Sequence, residues 1–319
     1  MVFKFNYKKE RKGKSIMNKK VISYLLVTLL IFSVCLSAGA ADGKITVGSK
    51  QFTEQLILGQ ITVLLLEDRG FDVVDKTGLG GSSVCRLALE SGEIDMYWEY
   101  TGTGWMTHLG HDNPLTDSEE CYKKVKDEDE NNGIIWLDYG EVNNTYTLMM
   151  RQKDANELEI KTISDLAEAI NSGVESPVGN EWVFATDHEY SIRQDGLVGL
   201  EELYGFQFDD VKIMQVGITY GALKEGKVPV AMGFATDGRV EGFELVNLVD
   251  DKQFHPVYNA APCLTEEVYD KYPELEEIFA TVIPYMDDAN MTKLNALVDL
   301  EGKTPEEVAK EFLMENDLI

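Results

Sequence analysis

The stretch from Tyr97 to Trp105, YWEYTGTGW, places four aromatic rings, two threonine hydroxyls and one carboxylate within nine residues. Such a cluster can be an ordinary strand end buried in a core, or one wall of a binding site. Alternation along a strand puts Tyr100 on the face of Trp98 and opposite Tyr97. Gly102 and Gly104 permit close backbone approach just past the strand's C-terminal end, where open α/β sheets bind ligands.

Other chemistries are poorly represented. The chain has no G-x-S-x-G elbow and no H-E-x-x-H pair, and its four histidines offer few general bases. GLGGSS, Gly78 to Ser83, opens a helix and could hold an anion at a helix N-terminus. It lacks dinucleotide-fingerprint spacing and the Lys-Ser/Thr of a P-loop, so a structural turn with Ser82 as helix cap is the plainer reading. His108 and His111 lie three apart, but without a nearby third ligand they read as surface histidines rather than a metal pair.

The elements that must position these residues are legible from periodicity. Residues 45–48 read as a strand. Leu56, Ile57, Gln60, Ile61, Leu64 and Leu65 recur at helical spacing over residues 53–68, with Gly70 as the stop. Further strands are predicted at 71–77, 95–100, 134–137, 145–150, 183–186, 211–216 and 228–234. Helices are predicted at 82–90, 118–130, 196–204 and 219–225, and one opened by Thr162-Ile163-Ser164-Asp165 runs to 170. A helical tail follows at 266–282 with a kink at Pro273, 290–300 and 305–316. This alternation predicts an α/β chain with mostly parallel sheet, long enough at 319 residues for two such sheets.

The N-terminus is a separate object. Met17-Asn18-Lys19-Lys20, an apolar run over 21–36 and Ser37-Ala38-Gly39-Ala40 describe a secretory signal sequence, with cleavage after Ala40 and Met17 as an alternative start. Acylation of Cys35 and an uncleaved anchor are the alternatives. No second apolar run is long enough to span a bilayer. Residues 1–40 hold eight basic residues and one acid, so their removal takes the formal charge from −27 to −34. Such a surface repels nucleic acid and anionic lipid. Cys85, Cys121 and Cys263 remain, an odd count without C-x-x-C that is neither a disulfide framework nor a zinc site, although one bridge is conceivable.

Six segments, in order, carry a resemblance: GSKQFTEQLILGQ (48–60), GLGGSSVCRLAL (78–89), GEIDMYWEYTGT (92–103), NNTYTLMMR (143–151), HEYSIRQDGL (188–197) and FATDGRV (234–240). Together they resemble the substrate-binding proteins of ABC transporters for glycine betaine, choline and related quaternary-ammonium osmoprotectants, over nearly all of residues 44–319.

The resemblance implies a two-domain, type II periplasmic-binding-protein fold closing on a cleft by a hinge. Residues 44–143 plus 255–319 would form one domain and 144–254 the other, with crossings near Asn143 and Asp251. A trimethylammonium group is cationic yet donates no N–H hydrogen bond, so the family holds it in an aromatic cage. The matching positions are Tyr100, Tyr146, Phe234 and Tyr258, with Phe234 departing from the family's usual tyrosine. Lys50 matches an anion-binding lysine, Thr103 a threonine that hydrogen-bonds the ligand, and Arg193 an arginine that reaches the cleft from the other domain. Lys and Arg can both bind a betaine's carboxylate, and Asn144 could face the rim of the cation. Glu189 and Asp195 would orient Arg193 or latch the closed domains. On this basis betaines such as glycine betaine, proline betaine and carnitine rank above choline, because choline would leave Lys50 and Arg193 buried without an anion. The resemblance further implies an exported protein, periplasmic or at the outer face of the membrane. It would not be an enzyme, would use no cofactor or metal, and would serve a permease and its ATPase.

Overall fold

The computed structural model describes residues 44–319. The signal sequence, its cleavage point at Ala40 and the alternative acylation site Cys35 lie outside the described residues. Among the described residues, no helix is long and apolar enough to cross a membrane.

Two five-stranded sheets organise the described residues. The first contains β1 (Lys44–Lys50), β2 (Asp72–Gly80), β3 (Met96–Tyr100), β4 (Ile134–Trp136) and β10 (Ala260–Thr265), in the order β2-β1-β3-β10-β4. The second contains β5 (Tyr146–Arg151), β6 (Val183–Thr186), β7 (Asp210–Ile213), β8 (Val230–Phe234) and β9 (Leu245–Asn247), in the order β7-β6-β8-β5-β9. Each has its own core. Leu89, Ile94, Tyr97, Trp136 and Cys263 belong to the first, and Met149, Tyr220, Leu223 and Ala231 to the second.

The sheets are mixed rather than mostly parallel. β1 runs parallel to β2 and β3, but β10 is antiparallel to β3 and β4. Likewise β6 is parallel to β7 and β8, while β5 is antiparallel to β8 and β9. The antiparallel member of each sheet, β10 or β5, is the strand that arrives from the other sheet. It reaches its place without the β-helix-β crossover that enforces parallel pairing.

The two connecting segments meet. Asn143 bridges Asn259, Asn144 N–H donates to Tyr258 O at 3.1 Å, and Tyr258 N–H donates to Asn143 Oδ1 at 2.7 Å. Residues before this point still belong with the second sheet: the backbone N–H groups of Phe254 and His255 donate to Asp250, which also accepts from Tyr204. Val257 N–H already donates to Leu115 O on the first.

Local details depart from the periodicity reading where long-range contacts intervene. β2 continues through Gly80, so the glycine-rich segment is strand rather than turn. Lys50 pairs with Gly80 across an irregularity after Gly48, and Gly78 absorbs it with φ +81°. The next helix, Ser82–Glu90, is capped by Gly81 and not by Ser82. Its Ser82 N–H donates instead to Glu189 Oε2 at 3.2 Å, a carboxylate from the other half of the fold. The tail helix breaks into Glu266–Lys271 and Leu275–Ala280 around Pro273. Helix Ile163–Asn171 opens at Thr162 with a full capping box, as Thr162 and Asp165 imply.

Candidate functional site

One cavity of about 850 Å³ draws lining residues from both sheets. Lys50, Tyr100 and Phe234 come from the C-terminal ends of β1, β3 and β8, and Tyr146 from the start of antiparallel β5 at the same edge. Tyr146 and Phe234 are direct cross-strand partners. Tyr258 enters on the connecting segment.

The rings form a continuous arc. Tyr146 lies 5.3 Å from Phe234 and 5.3 Å, edge-on, from Tyr258. Phe52 stacks on Phe234 at 5.0 Å and faces Tyr100 at 6.2 Å. Phe52 is thus a fifth ring that joins the Tyr100 wall to the rest. It sits at a helix cap, where periodicity carries no signal for a binding role. Thr103 and Asn144 also line this cavity, and the Thr103 hydroxyl makes no hydrogen bond among the described residues.

The charged groups are arranged differently from free ligand-binding cations. Lys50 Nζ lies 2.5 Å from Glu99 Oε1, with side chains 4% and 0% exposed. Glu99 also accepts from Tyr97 Oη at 3.0 Å, meets His108 Nε2 at 2.9 Å, and accepts from the Tyr100 N–H at 2.6 Å. Burial pushes the Glu99 carboxyl up, but Lys50 and His108 outweigh it and hold the group down at about 2. His108 is therefore a buried partner of Glu99 and not a surface histidine. His111 pairs with Glu128 and stacks on Trp105, whose indole N–H donates to Asn113 O at 2.8 Å. Trp105 is part of the core.

Arg193 is buried, is not among the cavity-lining residues, and lies 5.5 Å from the Tyr146 ring centroid. Its Nε and Nη2 donate to Asp195 at 2.7 and 2.5 Å, and Nη1 to Glu189 at 2.9 Å. Asp195 in turn accepts from Tyr258 Oη at 2.6 Å. Both cations thus have internal anions, and the ranking of betaines above choline loses the charge argument on which it stood.

Residues 43–315 match the family model described as the substrate-binding domain of ABC-type glycine betaine transport systems. The chain belongs to that family. It is 42% identical over 299 residues to the glycine-betaine-binding protein of Pseudomonas aeruginosa, covering 91% of this chain and 96% of the relative. It is 33% identical over 312 residues to the carnitine transport binding protein OpuCC of Listeria monocytogenes, covering 94% and 98%. The solved structure of apo YehZ from Escherichia coli superposes with a TM-score of 0.65 at 31% identity, covering 87% of this chain and all of that one (100%). Its fold, α/β with two mixed sheets, is the type II periplasmic-binding-protein fold of other betaine-binding family structures.

Within this family frame, a further buried acid stands out. Glu54, on the helix Thr53–Asp68, is 2% exposed and lines the cavity. It accepts from Tyr100 Oη at 2.7 Å, Asn144 Nδ2 at 2.9 Å, Thr236 Oγ1 at 2.6 Å and Asn295 Nδ2 at 3.1 Å. Burial raises its carboxyl above the ordinary range, and the four hydrogen bonds act against that rise. The alternation that put Trp98 and Tyr100 on one face explains the contact. Both reach this same helix, Trp98 through a 2.8 Å bond to Thr62 Oγ1. Glu54 carries no signal of its own in the sequence, because its donors are 46 to 241 positions away.

Proposed function

We propose that the protein captures a quaternary-ammonium solute of the betaine class between its two sheets and hands it to an ABC importer. The observation that carries this reading is the arc of Tyr100, Phe52, Phe234, Tyr146 and Tyr258 around one cavity, with rings from both sheets. Each desolvated ring facing a cation contributes about 1–2 kcal/mol, and the arc excludes water from methyl groups that cannot donate hydrogen bonds. Relatives that bind glycine betaine or carnitine by name support the same class.

In this reading Lys50 and Thr103 receive the ligand's carboxylate. Arg193 and Asp195 act one layer back, fixing Tyr146 and Tyr258, while Glu189, at the cavity wall, orients Arg193. The domains are 44–143 plus 255–319 and 144–254, and they flex about the paired segments at Asn143 and Asn259. The protein is exported, works at the outer face of the membrane with a permease and its ATPase, and releases its ligand unchanged. Supply of a compatible solute for osmoprotection follows from that role.

A second reading, choline or another quaternary ammonium without a carboxylate, is favoured by one observation. Lys50 and Arg193 are already paired with Glu99 and Asp195, so a ligand lacking an anion leaves neither bare. Titration calorimetry with glycine betaine, carnitine and choline decides. Tighter binding of the carboxylated ligands supports the first reading, tighter choline binding the second, and chemical alteration of the recovered ligand contradicts both.

A further inference from the structure

Two tyrosines of the arc end on buried carboxylates, in different electrical settings. Tyr258 donates to Asp195, which is paired through both oxygens with Arg193. Tyr100 donates to Glu54, and no Lys, Arg or His lies within 4.0 Å of Glu54 among the described residues. Lys50, 5.0 Å from the Tyr100 ring centroid, is held by Glu99 and does not compensate it. All four hydrogen bonds to Glu54 come from neutral groups: two hydroxyls and two amides. Its acceptor sites are filled, but when ionised its charge is unpaired, and burial that raises the carboxyl makes the charged form favourable only when a cation is supplied.

Glu54 also fixes Asn144. The amide must turn its NH₂ toward the carboxylate, since only that end can donate. The other end, Asn144 Oδ1, is buried without a hydrogen-bond partner, on a residue that lines the cavity. A bare carbonyl oxygen beside an aromatic arc suits the polarised methyl groups of a quaternary ammonium, which approach through C–H rather than N–H.

We infer that Glu54 is a positioning and specificity-determining residue that supplies the cage with its negative charge. Through the Tyr100 hydroxyl it makes that ring electron-rich, and through the amide of Asn144 it presents Oδ1 to the ligand's methyl groups. Glu54 itself stays hidden behind both, so the ligand meets a ring and a carbonyl rather than a carboxylate. This selects a large, weakly hydrated cation over a primary ammonium, which would demand direct N–H acceptors. The inference rests on the betaine-class reading above.

The test compares each cation with the isostere in which carbon replaces the charged nitrogen: glycine betaine against tert-butylacetate, and choline against tert-butylethanol. Shape is kept and only the positive centre is removed. Affinities are measured for the wild-type protein, Glu54→Gln and Tyr100→Phe. Glu54→Gln is expected to weaken the cations by roughly tenfold or more and the isosteres by less than about threefold. Equal losses for a cation and its isostere would make Glu54 a purely structural residue and overturn the inference. If Glu54→Gln does not fold, Tyr100→Phe decides, since it keeps the ring and cuts its link to the acid. The ratio of cation to isostere affinity should fall severalfold, and an unchanged ratio overturns the inference. A wild-type protein that binds neither cation contradicts the betaine-class reading itself, an outcome separate from both.

Discussion

Lys50 and Glu99 form a buried ion pair at 2.5 Å beneath the candidate ligand cavity, and Glu99 also meets Tyr97 and His108. The Glu99 carboxyl is held at about 2, far below its ordinary value. A depressed folded-state value stabilises the protein above the unfolded value and is lost as pH falls through the folded one. Urea denaturation should therefore show stability declining between about pH 4.5 and pH 2. Glu99→Gln should lack that component. It strands Lys50, so at neutral pH it should lose about 3–5 kcal/mol. A variant as stable as wild type at pH 7 would show that Lys50 finds its partner elsewhere.

Asp187 behaves in the opposite sense. Burial pushes its carboxyl up to about 6, against the pull of the Tyr190 N–H that it caps. A raised acid loses stability as pH rises from its unfolded value through the folded one. Asp187→Asn keeps an acceptor for Tyr190 and removes the charge. It should match wild type near pH 4 and exceed it at pH 7, with the difference in thermal melts growing from about pH 4 and levelling off above about pH 6.

Gly102 lies against the segment that carries Tyr258. A Cβ there would stand 2.6 Å from Val257 O and 2.8 Å from the Tyr258 ring. Because the first of these atoms is backbone, Gly102→Ala should cost about 1–3 kcal/mol and push Tyr258 out of the arc. Ligand affinity should fall along with the melting temperature. Wild-type affinity in this variant would remove Tyr258 from the cage.

Glu189 joins the two halves of the fold by accepting from the Ser82 N–H at the start of a helix. Neighbouring positive groups, Lys50 foremost, hold its carboxyl below the ordinary range despite burial. Glu189→Ala should loosen the closed arrangement and lower affinity by about 1–2 kcal/mol, roughly a factor of ten. Stopped-flow release should show the change mainly as faster dissociation. A slower association with unchanged release would place Glu189 on the entry path instead.

Much of this arrangement was readable beforehand, for reasons that can be named. Helix Thr53–Asp68 follows from its helical spacing, although it is buried on all but a stripe through Leu56, Gln60 and Leu64, and strand β3 follows from its short apolar run, buried along all five residues. That Gly102 permits close approach just past β3 is legible from its residue type, but that the approaching atoms are Val257 O and the Tyr258 ring is not. Tyr100, Tyr146, Phe234 and Tyr258 were found only through the joint resemblance of six segments, since each alone looks like core. Other features were hidden because they depend on partners far away in sequence. The antiparallel direction of β5 and β10 comes from the double passage between sheets. The cap on Ser82 comes from Glu189. The pairing of Lys50 with Glu99, and the isolation of Glu54, are set by which side chains the fold brings together and not by any local pattern.

The most direct test of the central claim is titration calorimetry of glycine betaine and choline into the wild-type protein and into Tyr100→Ala/Tyr146→Ala. The account predicts saturable, one-to-one binding of at least one of the two cations. It also predicts a loss of about 2–4 kcal/mol, thirtyfold or more, when both rings are removed. Affinity that survives the double substitution, or no binding of either cation to the wild-type protein, would contradict it.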